Sequence, residues 1–178
     1  MTSDLLDLYD RASAWTTEKV AGAVGHLDGP TVCDDWTVRV LLDHMLETQR
    51  FFLGQARGED VAPPGPTPPA VIGDDPRADF ERARQEVLEA FADPGTREKT
   101  GPALGIAFAD QLLHGWDIAR ATGQDPTMPA GLAGPAYDVI HGRFTDEQRV
   151  GVFKPELPVA ADADPQDKLL AYTGRRPA

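Results

Sequence analysis

The sequence predicts an all-α protein: a four-helix bundle with a long crossover link between its second and third helices and a short irregular C-terminal extension. Three observations lead there. Four segments carry apolar residues at three- and four-residue steps, the repeat of a single buried helix face. Alanine is frequent and β-branched runs are few, a composition that favours helix over strand. The boundaries between the segments are marked by Gly and Pro, which interrupt helices. A chain of 178 residues suits one domain, with the bundle over about 3–123 and the extension over about 124–178. The chain is 41% hydrophobic but only 7% aromatic, so its core is built mainly from Leu, Val and Ala.

The first helix begins at Asp4, capped by Thr2 or Ser3, and buries Leu5, Leu8, Ala12, Trp15 and Val20. Asp4 and Asp7 suit the positive end of its dipole. It ends near His26, a surface residue. Gly29-Pro30 breaks the chain, and Asp35 or Thr37 caps a second helix whose stripe is Val38, Leu41, Leu42, Met45, Gln49 and Phe52. His44 lies at the edge of that stripe, where a histidine standing alone is a hydrogen-bonded boundary residue. The Pro-rich run Ala62-Pro-Pro-Gly-Pro-Thr-Pro-Pro69 lies in a connector over 59–76. About eighteen residues at ~3.3 Å each span nearly 60 Å, twice the ~30 Å of a twenty-residue helix. The third helix can therefore run parallel to the second, where a short turn would force them antiparallel. Pro76 opens that third helix, with Phe80, Ala83, Val87, Leu88 and Phe91 on its apolar face, and Pro94-Gly95 ends it. A fourth helix runs from near Pro102 to a stop at Gly123. Beyond it, short helices are expected within Gly131–Gly142, from Thr145 and from Asp164 to Gly174, with an extended, proline-containing stretch Phe153–Val159 between them.

Charge and cysteine usage narrow the partners. A net charge of −12 makes the chain a poor ligand for nucleic acid or an anionic membrane surface. The single cysteine, Cys33, cannot form a disulfide within a monomer, so nothing requires an oxidising compartment. The N-terminus has no basic stretch of the secretory type, and no apolar run reaches membrane-spanning length. The expectation is a cytoplasmic monomer or homodimer acting on small molecules.

The chemistry concentrates on Phe108–Gly123. Asp110 and His114 are four residues apart and stack on one helix face, which Asp117 and Ala121 continue. A carboxylate and an imidazole facing a core are costly to bury unpaired. A divalent metal would pair them; so would a half-exposed ion pair between the two. Bundle cores build metal sites from side chains on facing helices. Such a site needs three protein ligands and an open position to be catalytic. The candidate set is His44, Asp110 and His114, with water or a thiol in the open position. Asp117, one turn beyond His114, is either an acceptor that orients the imidazole or a solvated polar residue. Cys33 precedes the second helix and is read as a small buried hydrophobe away from the site. Arg120 is read as meeting an anionic group or pairing with Asp117, Trp116 as packing, and Tyr137 and His141 as one side of a surface helix.

Three stretches resemble a known family. Val32-Cys-Asp-Asp-Trp-Thr-Val-Arg-Val-Leu-Leu-Asp-His44 is similar to a segment leading from a Cys and a Trp into a first metal histidine. Asp110-Gln-Leu-Leu-His-Gly-Trp-Asp117 resembles an acid-x-x-x-His motif followed by Trp-Asp, and the tail segments Phe153–Val159 and Lys168–Pro177 are similar to the closing segment of one branch. The family is the DinB-like superfamily of metal-binding bundles, and within it the N-terminal domain of mycothiol-dependent maleylpyruvate isomerase and its actinobacterial relatives. The resemblance implies that His44, Asp110 and His114 ligate a divalent metal, zinc first and nickel second, with mycothiol as a co-substrate. The isomerase has Glu where this chain has Asp110, one methylene shorter. The implied function is metal-dependent activation of a low-molecular-weight thiol towards an electrophile, by transfer or isomerisation. A non-catalytic metal- or small-ligand-binding module and a metal-dependent hydrolase use the same three ligands.

Overall fold

The structure, a computed structural model, describes residues 4–33, 35–149 and 153–177. All regular elements among them are helices, and they fall into two compact units, Met1–Thr127 and Met128–Ala178. Among the described residues no helix is long and apolar enough to cross a membrane.

The N-terminal unit holds four long helices, α1 (Leu5–Ala23), α2 (Val38–Arg57), α3 (Pro76–Ala92) and α5 (Ala103–Ala121), and the short α4 (Pro94–Thr100). Helix α1 packs on α5 and α3, and α2 packs on the same two. Their shared core is Val20, Ala23, Val38, Leu41, Leu42, Met45, Leu46, Phe80 and Ile118. Two expected boundaries shift. The caps assigned to Thr2 and Ser3 lie outside the described residues; the helix begins at Leu5, and Asp4 is its cap, accepting from Leu6 N at 3.2 Å. Pro94-Gly95 does end α3, but it also starts α4. Asp93 accepts from Thr96 N at 2.8 Å, and Pro94 stands at a first-turn position where its missing N–H costs nothing. Of the two caps proposed for α2, Thr37 is the one used, accepting from Val40 N. Gly123 stops the last long helix as expected, with φ 70°.

The link between α2 and α3 has no regular structure, and it is tied to α2 through Asp43. Asp43, a carboxylate only 5% exposed on α2, accepts from Val71 N at 2.7 Å and Ile72 N at 2.9 Å. Val71 and Ile72 then pack on the core. Contacts between the two helices run in the same sense along both: Asp43 meets the chain just before α3, and Arg57 near the end of α2 reaches Glu86 further along α3. The link therefore carries the parallel arrangement that its length allows.

Helices α1 and α5 approach closely because Gly115 has no side chain: a Cβ there would collide with Thr16 Oγ1 and the Trp15 ring. Thr16 uses the proximity to donate to Gln111 O at 2.8 Å. This contact sets the height of α5, and hence of its acidic and imidazole side chains, against the rest of the unit.

The C-terminal unit contains α6 (Ala133–Ile140), α7 (Asp146–Arg149) and α8 (Pro165–Tyr172), with α6 packed on α8. Thr145 and Gln148 cap α7 reciprocally. The Tyr137 and His141 rings stack at 4.8 Å, and both contact Tyr172. The Arg149 guanidinium lies 4.3 Å from the Tyr172 ring centre.

The Asp43 contact yields a direct test. Asp43→Ala leaves two backbone donors without their charged acceptor, at roughly 1.5–3 kcal/mol each. Denaturant unfolding should show a loss of about 3 kcal/mol; a loss below ~0.5 kcal/mol would mean that the link is not anchored here.

Candidate metal centre

The site forms where the start of α2 meets the middle of α5. The segment before α2 folds back on itself: Thr31 N and Oγ1 both donate to Trp36 O, Trp36 N donates to Cys33 O, and Val38 N donates to Gly29 O. This turn holds Trp36 against His44, with ring centres 4.8 Å apart. From there α2 carries His44 towards α5, where its ring meets His114 edge-on at 5.2 Å.

On α5 the i, i+4, i+7 spacing lines up Asp110, His114 and Asp117. His114 Nε2 lies 3.4 Å from Asp110 Oδ1, long for a hydrogen bond, whereas His114 Nδ1 lies 2.9 Å from Asp117 Oδ2. Asp117 is completely buried, which removes its reading as a solvated residue. As the acceptor of an Nδ1–H, it turns Nε2 towards Asp110.

Each of His44, Asp110 and His114 offers a ligand atom within 4.8 Å of the others. Two of these residues carry buried atoms that lack any hydrogen-bond partner, His44 Nδ1 and Asp110 Oδ2. Leaving an acceptor buried and unpaired costs roughly 1–3 kcal/mol, so two in one cluster point to a missing shared partner. Two imidazole nitrogens and a carboxylate are the donor set of a zinc-type cation with an open position, and the residues fit such an ion.

Electrostatics separates the two histidines. Burial, helped by the proximity of His114, lowers the His44 pKa to about 4, so His44 is neutral at pH 7. Burial also works against a charge on His114, but the Asp110 carboxylate beside it and the contacts to Asp117 and Cys33 outweigh this and hold its pKa well above the ordinary value. Tyr9 lies buried under the bundle and donates to Gln49 Oε1, and burial raises its phenol strongly.

Cys33 corrects an expectation. It is half-buried and packs against the core, but its Sγ also lies 3.5 Å from Asp117 Oδ2, the oxygen that His114 Nδ1 contacts, so it is not away from the site. Its place depends on the turn before α2, which no helical period describes. Trp36, quoted above only as part of a motif, packs on a site histidine for the same reason. Trp116 is buried packing, as expected. Arg120 is exposed and lies over the Trp116 ring at 5.7 Å; with Asp117 buried, no surface pair between them forms. Tyr137 and His141 belong to the C-terminal unit, within its ring cluster.

Comparison with known proteins agrees with this architecture. Two uncharacterized proteins of Mycobacterium tuberculosis, one from strain CDC 1551 / Oshkosh and one from strain H37Rv, are each 28% identical over 163 residues, covering 84% of this chain and 85% of their own length. No solved structure matches the chain. The family model described as "Mycothiol maleylpyruvate isomerase N-terminal domain" matches residues 9–119, from α1 through α5 and across every residue of the cluster just described. The chain therefore belongs to the mycothiol maleylpyruvate isomerase N-terminal domain family, a family of DinB-like helical domains.

Proposed function

We propose that this protein is a zinc-dependent enzyme that activates a low-molecular-weight thiol, mycothiol in the first instance, for transfer to or isomerisation of an electrophilic small molecule. The observation that carries the proposal is the pair of unpartnered buried atoms, His44 Nδ1 and Asp110 Oδ2, in one cluster with His114. Family membership supports the thiol over water as the occupant of the open position. The ligands would be His44, Asp110 and His114. When bound, a divalent metal would supply Lewis acidity, lowering the pKa of a coordinated thiol from about 8.5 towards neutrality.

The remaining roles fall to side chains of this chain. His44 enters the site already neutral because burial keeps its proton off. Asp117 holds the Nδ1–H of His114 and so fixes both the tautomer and the ring plane. Trp36 packs on one side of the His44 ring. The partners are a small thiol and an electrophile. A chain of net charge −12 is poorly suited to nucleic acid or anionic lipid and well suited to the cytoplasm, where such thiols are kept reduced.

Three outcomes follow. Protein purified without chelator or a His-tag should carry about one metal ion per chain, and Asp110→Ala and His114→Ala should each lose it while retaining helicity. Unchanged metal content in either variant would refute the ligand assignment. Calorimetric titration with mycothiol should give binding to the zinc-loaded protein that disappears on zinc removal and in Asp110→Ala; equal binding with and without zinc would exclude thiol coordination. The pH dependence of metal affinity follows from the two histidines. His44 is neutral above about pH 4, whereas His114 holds its proton beyond the ordinary range and must release it on binding. Between about pH 5 and 7, affinity should rise roughly tenfold per pH unit, one proton displaced per ion. A flat profile, or a hundredfold rise per unit, would contradict the assignment.

A further inference from the structure

A second group of side chains that could hold a metal ion shares His114 with the first. Cys33, Asp117 and His114 each offer a ligand atom within 4.8 Å of the others. The two groups share only His114, and the imidazole presents a different nitrogen to each carboxylate: Nε2 to Asp110 at 3.4 Å and Nδ1 to Asp117 at 2.9 Å. Cys33 does not join the His44 and Asp110 group, so it is no fourth ligand of that site.

We propose that Cys33 Sγ, Asp117 and His114 Nδ1 form a second, softer metal position that takes a thiophilic divalent ion and shares the His114 imidazole with the first. The donor sets differ in kind. Two nitrogens and an oxygen define the first position, whereas a sulfur, a nitrogen and an oxygen define the second, and sulfur selects thiophilic ions such as zinc. Charge balances when both are filled: two divalent ions meet two carboxylates, one thiolate and one imidazolate. Filling the second position releases two protons to solvent, one from the Cys33 thiol and one from His114 Nδ1. The loss of that Nδ1 proton, which Asp117 holds when a single ion is bound, places the second ion after the first. The second position is tied to the proposed enzyme site only through the shared ring, and its ligands survive without Asp110.

Cobalt(II) distinguishes the two, because a cysteine thiolate bound to cobalt gives a near-ultraviolet charge-transfer band that imidazole and carboxylate do not. Titration of the full chain should show no such band up to one equivalent and a rising band beyond it. Cys33→Ser, a change of one atom, should abolish the band while keeping the first equivalent and the far-ultraviolet circular dichroism of the fold. Asp110→Asn should weaken the first equivalent and keep the band, so failure of the first site and failure of the second are read separately. Absence of the band at several equivalents of cobalt in the wild-type protein, or its persistence in Cys33→Ser, would overturn the second position.

Discussion

The structure depends on one constraint: α5 carries Asp110, His114 and Asp117 along a single face of a helix that is otherwise buried on nearly every side. Ionisable groups at such depth must find partners, since desolvation alone would cost several kcal/mol per charge. Part of the requirement is met within the helix, where Asp117 accepts from the ring of His114. The rest is met from α2 and the turn before it, which bring His44, Trp36 and Cys33 to the same place. Within the His44, Asp110 and His114 group, His44 Nδ1 and Asp110 Oδ2 stay without a hydrogen-bond partner.

The scaffold serves this arrangement through contacts remote from it. Gly115 lets α1 and α5 approach, and Thr16 locks their relative height by a hydrogen bond to Gln111 O. Asp43, adjacent to His44 in sequence but turned to the other side, anchors the crossover link and so fixes α2 against α3. Small displacements in either contact would move His44 relative to His114, and a metal-type cluster tolerates little of that. The same residues that stabilise the bundle thus set the spacing of its polar centre.

Much of the fold was legible because each long helix buries a single face, and a face leaves a period in the sequence. The length of the proline-rich link allowed the parallel course of α3 without requiring it. The short α4 was not: Pro-Gly signals an end, and only the Asp93 cap turns that end into a new start. The alignment of Asp110, His114 and Asp117 follows from spacing along one helix. The approach of His44 does not, because no local pattern relates α2 to α5; it rested on the way bundle cores bring facing helices together and on resemblance to a family. Cys33 was rightly read as packing on the core, but its nearness to Asp117 was missed, because its position is set by the hydrogen bonds of a turn, Thr31 to Trp36 and Trp36 to Cys33, whose geometry carries no periodic signal. The depth of Asp117 was equally hidden, since an aspartate near a helix end is ordinarily exposed.

The central claim is that two histidines from different helices and one aspartate hold a single ion between them. X-ray absorption at the zinc edge, on protein carrying one equivalent of zinc, tests it most directly. The account predicts a shell of nitrogen and oxygen only, at about 2.0–2.2 Å, with outer-shell scattering from two imidazoles. A shell with one imidazole or none, or one containing sulfur at that first equivalent, would contradict it.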